Sequence, residues 1–168
     1  MMKKATLLLA AIVIFTFKPA KAQENHYAYK SKIGIGIETD FAENTLGYGF
    51  SLQFQCPLTT HLNLTATTSR ISLNSTLKVM PKRDYKYIPL KLGARYFIIS
   101  QIYLAGEIGV AIETTRDKKT SFLWSPGIGS EFMVSEKSAL DIGLRYESFM
   151  ADPNKSFLGL RLAFNYGL

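Results

Sequence analysis

Nine charged side chains lie at alternate positions within segments that are otherwise apolar or rich in glycine, a placement that suits ion pairing. Four are basic and five are acidic, so their charges nearly balance: Glu38, Lys91, Arg95, Glu107, Glu131, Asp141, Arg145, Glu147 and Arg161. An isolated buried charge is costly, whereas interlocked opposite charges with hydrogen bonds are tolerated. We therefore predict an ion-pair network, in which Asp141 and Glu147 are partners of arginine rather than a catalytic acid and base.

Catalysis and metal binding have little support in the sequence. The two histidines are His26, in a polar N-terminal stretch, and His61, in a short connector, so they cannot complete a Ser-His-acid arrangement. Histidines, acids and the single cysteine, Cys56, do not cluster at ligand spacing, and one cysteine excludes an intramolecular disulfide. The sequence therefore predicts no catalytic, cofactor-binding or metal-binding residue, and a protein that is not an enzyme.

The N-terminus has the pattern of a secretory signal peptide. Two lysines precede the apolar run ATLLLAAIVIFTF (5–17), and Ala20-Lys21-Ala22 forms a cleavage site of the A-x-A type. This run is too short for a transmembrane helix, which needs about 20 residues. We expect a signal peptide over 1–22, a short lead over 23–30 and one domain over 31–168. Cleavage would remove four lysines and lower the formal charge from +7 to +3, which weakens the case for nucleic-acid binding.

From Ser31 onward the hydrophobic period is two, which predicts strands rather than helices. The eight alternating segments are 31–41, 47–56, 61–71, 86–98, 102–113, 121–134, 139–148 and 156–168. Their lengths suit tilted membrane-spanning strands, which need about 9–11 residues. Short connectors (57–60, 100–101, 135–138) alternate with mostly longer polar ones (42–46, 72–85, 114–120, 149–155). The pattern predicts an all-β fold, an eight-stranded antiparallel up-and-down transmembrane β-barrel.

The composition of the two strand faces indicates which face is inside. The polar face carries nine of the twelve glycines: Gly34, Gly36, Gly49, Gly93, Gly109, Gly127, Gly129, Gly143 and Gly159. Glycine weakens a strand that faces water, whereas a narrow lumen needs small residues so that long side chains can cross it. The other face is apolar, interrupted only by Arg70. The alternatives are a solvated charged face and a secreted soluble barrel whose apolar face encloses an apolar ligand.

The lumen of such a barrel is expected to be plugged. Eight strands enclose a space that side chains just fill, so we do not expect a general porin. The sequence does not indicate whether the lumen conducts ions. Strand adjacency predicts which charges meet: Lys91 and Arg95 with Glu107, Arg145 with Glu131 and Arg161, and, after barrel closure, Arg161 with Glu38.

Two short motifs, PLKLGARYF (89–97) and GLRLAFNYGL (159–168), accompany the strand count and the loop asymmetry. With them, 31–168 resembles the small eight-stranded outer-membrane β-barrel proteins of the OmpA/OmpX-like type. The resemblance implies an integral protein of the bacterial outer membrane, exported by its signal peptide and inserted by the barrel-assembly machinery. It also implies a C-terminal assembly signal in which Arg161, Tyr166 and Leu168 take the polar, penultimate aromatic and terminal positions. Because some similar barrels modify lipids, a lipid A-modifying enzyme is a remote alternative to a structural or surface-interaction role.

Basic residues in and beside the longer connectors are candidate contacts for phosphate groups. They are Arg70, Lys78, Lys82, Arg83, Lys86, Arg116, Lys118 and Lys119. At the height of the outer leaflet, lipopolysaccharide presents phosphates that such cations can bind. The simpler alternative is a solvated rim. The sequence indicates no protein partner, no oligomeric state and no cofactor.

Overall fold

The computed structural model describes residues 30–42, 45–75, 85–114, 120–150 and 152–168, and these residues form eight β-strands joined by turns. The strands are β1 (Lys32–Ala42), β2 (Thr45–Pro57), β3 (Leu62–Ser75), β4 (Tyr85–Phe97), β5 (Ile102–Glu113), β6 (Thr120–Ser135), β7 (Ser138–Phe149) and β8 (Asp152–Gly167). Among the described residues, no helix is long and apolar enough to cross a membrane. The predicted signal peptide over 1–22 lies outside the described residues.

The strands form one closed antiparallel barrel in chain order. Each strand pairs with its sequence neighbours, and β8 returns to pair with β1 from Phe41 opposite Leu158 to Lys32 opposite Gly167. Closure gives the backbone N–H and C=O groups of β1 and β8 partners, so that neither strand is left as an open edge. The predicted eight-stranded antiparallel barrel is therefore confirmed.

The connectors are less asymmetric than the sequence predicts. At the turn end, β2–β3, β4–β5 and β6–β7 are joined by 58–61, 98–101 and 136–137, and at the loop end the longer connectors are 76–84 and 114–119. The longer connectors predicted over 42–46 and 149–155 were wrong. The strands extend into both segments: β1 and β2 pair as far as Ala42 opposite Thr45, and Phe149 pairs with Asp152 after a register shift between Ser148 and Phe149. Polar residues can extend a hairpin wherever ladder partners remain available, so polarity alone misplaces these strand ends.

Side chains alternate between an apolar outer face and a mixed inner face. In β1, Ile33, Ile35 and Ile37 are exposed, whereas Gly34 and Gly36 are buried. The same alternation on the other strands produces an exposed apolar belt around the barrel, which includes Phe50, Leu92, Ile108, Phe122 and Leu144. A surface of this composition suits hydrocarbon rather than water.

The inner face at the loop end is also apolar. There, seven buried side chains form a cluster that we call the apolar cap: Ile71, Leu73, Tyr87, Ala111, Leu123, Phe149 and Phe157. The ring centroid of Phe149 lies 5.6 Å from that of Tyr87 and 5.8 Å from that of Phe157, and the centroids of Tyr87 and Phe157 are 6.5 Å apart. The cap covers the charged interior from the loop side. This cap is not predicted from the sequence.

Two prolines interrupt the strand ladders. Pairing between β6 and β7 skips from Trp124–Ser148 to Gly127–Arg145, and the missing positions include Pro126 opposite Tyr146. Hydrogen-bonded and non-hydrogen-bonded residue pairs alternate along an antiparallel ladder. Because the Met150 N–H donates to the Phe122 carbonyl, the same alternation makes Pro126 and Tyr146 a hydrogen-bonded pair. Since proline has no N–H, the Tyr146 carbonyl lacks that ladder donor.

The second interruption lies between β3 and β4. Pairing skips from Thr68–Leu90 to Ile71–Tyr87, across Pro89. The Phe97 N–H donates to the His61 carbonyl, so every second pair from there along the ladder is hydrogen-bonded. By that count, Ser69 and Pro89 are a hydrogen-bonded pair. The Ser69 carbonyl therefore lacks its ladder donor. We call these two interruptions the proline seams.

Two glycines of β5 provide a matched test of the narrow interior. A Cβ on Gly109, which faces inward, would lie 2.8 Å from Lys91 Cα and would overlap the backbone of Leu90, whereas a Cβ on Gly106, which faces outward, would meet nothing within 4 Å. We expect Gly109→Ala to lower the free energy of unfolding by about 1–3 kcal/mol, because neighbouring backbone must move. Gly106→Ala should leave it unchanged or slightly raised. Urea unfolding in lipid vesicles would measure both, and equal losses would contradict this account.

Candidate functional site: the charged barrel interior

The interior below the apolar cap is filled with charged side chains. All nine charges predicted for the inner face lie there, and the structure adds Lys32 and Asp40 from the ends of the inner row of β1. Five are basic and six are acidic, and ten of the eleven are more than nine-tenths buried, the exception being the slightly more exposed Glu107. So many buried charges are tolerable only because each has at least one partner of opposite sign.

Arg145 is the centre of the loop-side half of this interior. Its Nη2 donates to Glu38 Oε2 at 3.0 Å and to Asp40 Oδ1 at 3.1 Å, and its Nε donates to Glu147 Oε1 at 2.9 Å. One guanidinium from β7 therefore binds carboxylates of both β1 and β7. The Tyr87 hydroxyl, in the apolar cap, donates to Asp40 Oδ2 at 3.0 Å, which connects the cap to this centre.

Lys91 extends the loop-side half across the lumen. Its Nζ lies 2.6 Å from Glu147 Oε1 and 3.0 Å from Glu107 Oε2. Glu107 also accepts a hydrogen bond of 2.6 Å from the Thr67 hydroxyl on β3. These contacts connect β3, β4, β5 and β7 through side chains alone.

Asp141 is the centre of the turn-side half. Its carboxylate is paired with Arg95 Nη1, and it accepts hydrogen bonds from Arg161 Nη1 at 3.4 Å, Tyr103 OH at 2.9 Å and Asn165 Nδ2 at 3.3 Å. The Arg95 guanidinium also lies 4.2 Å from the centre of the Tyr103 ring, a cation–π distance. One buried carboxylate thus orients two arginines.

Glu131 closes the turn end, and Arg161 joins the two halves. Glu131 is paired with Lys32 Nζ at 2.5 Å and accepts from Asn165 Nδ2 at 2.8 Å. Arg161 Nε lies 3.7 Å from Glu38 Oε1 and donates to Ser51 Oγ at 3.1 Å, while its Nη1 reaches Asp141. The ion pairs therefore connect from the turn end up to the apolar cap.

The observed pairs agree only in part with those expected from strand adjacency. Lys91 does meet Glu107, and closure does place Arg161 opposite Glu38. Arg95, however, binds Asp141 rather than Glu107, and Arg145 binds Glu38, Asp40 and Glu147 rather than Glu131. These expectations were wrong because long side chains cross a narrow lumen. The partner of each charge therefore depends on its height along the barrel axis and on which side chain it faces across the lumen, not on which strand lies next to it in the sheet.

Several interior residues are not among those predicted from the sequence, namely Lys32, Asp40, Tyr87, Tyr103 and Asn165. The signal for Lys32 and Asp40 was present, since both continue the even-numbered inner row of Gly34, Gly36 and Glu38. The two tyrosines and the asparagine have no comparable charge signal. Only their positions in the alternation distinguish them from outward residues.

A small cavity with several polar side chains in its wall remains within the network. Its volume is about 40 Å³, enough for a few water molecules. Glu38, Ser125 and Arg161 line it, and each has a buried polar atom without a hydrogen-bond partner in the structure (Glu38 Oε1, Ser125 Oγ and Arg161 Nη2). A cavity lined in this way suits water and does not suit an apolar ligand.

The remaining candidate residues lie outside this interior. His61 is exposed in the β2–β3 connector, with its Nδ1 2.8 Å from the Thr60 hydroxyl, and Cys56 is half-buried near the same end. Within the described ranges, no group of three or more His, Cys, Asp or Glu side chains could hold a metal ion. Of the C-terminal signal, Arg161 points inward, while Tyr166 and Leu168 are exposed at the turn end.

The candidate phosphate contacts are described only in part. Arg70 on β3 and Lys86 on β4 are exposed on the outer face near the loop end. The other six, Lys78, Lys82, Arg83, Arg116, Lys118 and Lys119, lie outside the described residues, as does His26.

Comparisons with known proteins identify the fold. No family model matches the chain, and no curated protein does. Among solved structures, Neisserial surface protein A shares 15% identity with a TM-score of 0.63, covering 84% of this chain and 97% of its own. The attachment invasion locus protein Ail of Yersinia pestis shares 15% identity with a TM-score of 0.59, covering 83% and 98%. Ail has also been solved with the heparin analogue sucrose octasulfate.

A third outer-membrane protein, OprG from Pseudomonas aeruginosa, shares 14% identity with a TM-score of 0.56, covering 88% of this chain and 99% of its own. These alignments cover most of the barrel at low identity. They establish a common fold, and the predicted likeness to small eight-stranded outer-membrane barrels is confirmed at that level.

Proposed function

We propose that this chain, which has the fold of small eight-stranded outer-membrane barrels, is an integral protein of a bacterial outer membrane with a structural or surface-interaction role. In this proposal the barrel is not an enzyme, and the ion-pair network with its apolar cap closes the lumen. The turn end lies in the periplasm and the loop end faces outward, the usual orientation of such barrels.

The distribution of polarity between the two faces of the barrel carries the proposal. The large exposed side chains of the described strands are mostly apolar, whereas the buried set contains ten charged residues. A water-soluble barrel would need the reverse arrangement, because exposed apolar area and buried charge both disfavour folding in water. In a bilayer, the apolar belt contacts lipid tails and the charges pair within the lumen.

The alternative of a secreted barrel that binds an apolar ligand fits poorly with the same side chains. Its ligand would require a sizeable apolar cavity, but the cavity in the interior has a volume of only about 40 Å³, and arginines and carboxylates of the network form part of its wall. The apolar cap is itself filled by its own side chains, with exposures of 6% or less. A lipid A-modifying enzyme would need a nucleophile and base near the outer leaflet, and the described histidine, His61, is at the opposite end of the barrel.

The surface-interaction role is proposed for the cations at the loop end. Lipopolysaccharide phosphates would be the partners of Arg70, Lys78, Lys82, Arg83, Lys86, Arg116, Lys118 and Lys119. The structure of Ail in complex with the heparin analogue sucrose octasulfate supports the idea that a protein of this fold can bind a polyanion. During biogenesis, the barrel-assembly machinery would recognise the C-terminal strand that carries Arg161, Tyr166 and Leu168.

Two measurements test the membrane location and the closed lumen. We expect the chain to fractionate with the outer membrane and to migrate faster on a denaturing gel before heating than after, because a folded barrel resists unfolding by detergent. In planar bilayers we expect no steady ion conductance, with detergent-only bilayers as the control. A freely soluble mature chain would refute the membrane location. Steady conductance from folded protein would refute the closed lumen.

A further inference from the structure

The loop-side half of the described interior has more carboxylates than cations. Its four acids are Glu38, Asp40, Glu107 and Glu147. The three cations that reach these acids are Lys91, Arg145 and Arg161. In the turn-side half, the remaining acids, Asp141 and Glu131, are matched by Arg95 and Lys32. An unbalanced buried charge is costly, and one additional proton on a loop-side carboxylate would make the described interior neutral.

Tyr87 lies between two of the loop-side carboxylates. Its hydroxyl oxygen is 3.0 Å from Asp40 Oδ2 and 3.5 Å from Glu147 Oε2. A phenol has one O–H hydrogen to donate and two lone pairs that can accept. It can therefore donate to one carboxylate and accept from the other only if the second carboxyl is protonated. One proton completes a chain that runs from carboxyl to phenol to carboxylate.

The surrounding contacts leave these two oxygens facing the phenol. Arg145 donates to the other oxygen of each carboxylate, to Asp40 Oδ1 at 3.1 Å and to Glu147 Oε1 at 2.9 Å. Asp40, Tyr87 and Glu147 are each 0% exposed, and the apolar cap covers them from the loop side. Water is therefore not positioned to supply the missing hydrogen.

The charges around the chain determine which of its two carboxyl groups holds the proton. Glu147 Oε1 lies 2.6 Å from Lys91 Nζ and also accepts from Arg145, whereas Asp40 has Arg145 alone. The described charged groups that face the chain come from five strands: Glu38 (β1), Lys91 (β4), Glu107 and, at the rim, Glu113 (β5), Arg145 (β7) and Arg161 (β8). The inner rows of β2, β3 and β6 have no described charged residue at this height. Asp40 is therefore the better site for the proton.

We propose that Asp40, Tyr87 and Glu147 form a buried proton-binding site, in which protonated Asp40 donates to the Tyr87 hydroxyl and Tyr87 donates to Glu147. The bound proton attaches the apolar cap to the charged network, since Tyr87 belongs to the cap. In the unfolded chain both carboxyls are ionised at neutral pH, so the folded chain binds one proton more. Stability from this site therefore decreases as pH rises and the proton leaves.

Infrared spectroscopy of the refolded full-length chain tests the site directly. Vesicles of ether-linked phosphatidylcholine in D₂O are suitable, because this lipid has no ester carbonyl to hide a carboxylic-acid C=O band. We expect such a band in the unaltered chain at neutral pH and its loss in Asp40→Asn. Glu131→Gln, which alters a buried acid of the turn-side half, should keep the band. Gel mobility before heating verifies that each variant is folded.

Proton release on unfolding provides a second measurement. When urea unfolds the chain in weakly buffered neutral solution, the unaltered chain should release about one proton more than Asp40→Asn. The inference is overturned if the unaltered chain has no acid band, if the band persists in Asp40→Asn, or if the two chains release equal numbers of protons. Loss of the band in Glu131→Gln alone would place the proton in the turn-side half and overturn the site at Asp40. The fractionation and conductance tests are independent of these results.

Discussion

Replacement of Arg145 by methionine is expected to lower the free energy of unfolding by about 3–5 kcal/mol, because it leaves buried carboxylates without their shared cation. Glu38, Asp40 and Glu147 all accept from this one guanidinium at 2.9 to 3.1 Å. Methionine keeps much of the side-chain length, so the loss reflects charge more than volume. Urea titration of refolding into vesicles, followed by gel mobility, measures the change.

Two further variants make the Arg145 result specific to pairing. Lys137→Met removes an exposed cation at the turn end and should change the free energy of unfolding by less than about 0.5 kcal/mol. Arg145→Met combined with Glu38→Gln should be less destabilised than the sum of the two single changes, because the second change removes one uncompensated carboxylate. A loss below about 1 kcal/mol for Arg145→Met would contradict the central role of this residue.

Replacement of Phe149 by alanine is expected to cost about 3–5 kcal/mol of stability for a different reason, the cavity left in the apolar cap. Phe149 is 2% exposed and packs edge-on against Tyr87 and Phe157, with ring centroids 5.6 and 5.8 Å away. Its neighbours are attached to a rigid barrel wall and can collapse only partly into the space. The same vesicle titration measures the loss.

Phe50→Ala is the matched control for the cap. Phe50 is 72% exposed on the outer face, where fluid lipid tails can fill the space of the removed ring. Phe50→Ala should therefore lower the free energy of unfolding only by the lost transfer free energy of the ring, with no added cost for an empty cavity. The decrease should be clearly smaller than that for Phe149→Ala. Equal losses at the two positions would mean that the cap is not a packed core.

The strands could be predicted from the sequence because a barrel wall imposes a strict two-residue alternation. Ile33, Ile35 and Ile37 against Gly34 and Gly36 show it clearly, with apolar residues toward lipid and small ones toward the lumen. The loop-end interior could not be predicted in this way. At Tyr87 and Ile88, both faces are apolar, one within the cap and one toward lipid, so the alternation loses its contrast.

The composition of the charged interior was predictable, but its pairing was not. Charges on an inner row need partners, and near balance of sign indicates a network. Which partner each one finds depends on how far a side chain crosses the lumen. Arg95 on β4 reaches Asp141 on β7, a strand that is not adjacent to it, and no property of the linear sequence expresses that distance.

The proline seams make the barrel wall mechanically uneven. Pro89 weakens the join between β3 and β4, and Pro126 weakens the join between β6 and β7. The two seams divide the barrel wall into a segment of three strands (β4, β5 and β6) and a segment of five strands (β7, β8, β1, β2 and β3). When lateral pressure in the membrane deforms the barrel, we expect the bending to occur mainly at the two proline seams, while each segment moves as a nearly rigid body. The salt bridges of Lys91 with Glu147 and of Arg95 with Asp141 connect the two segments across the lumen, so they resist this bending.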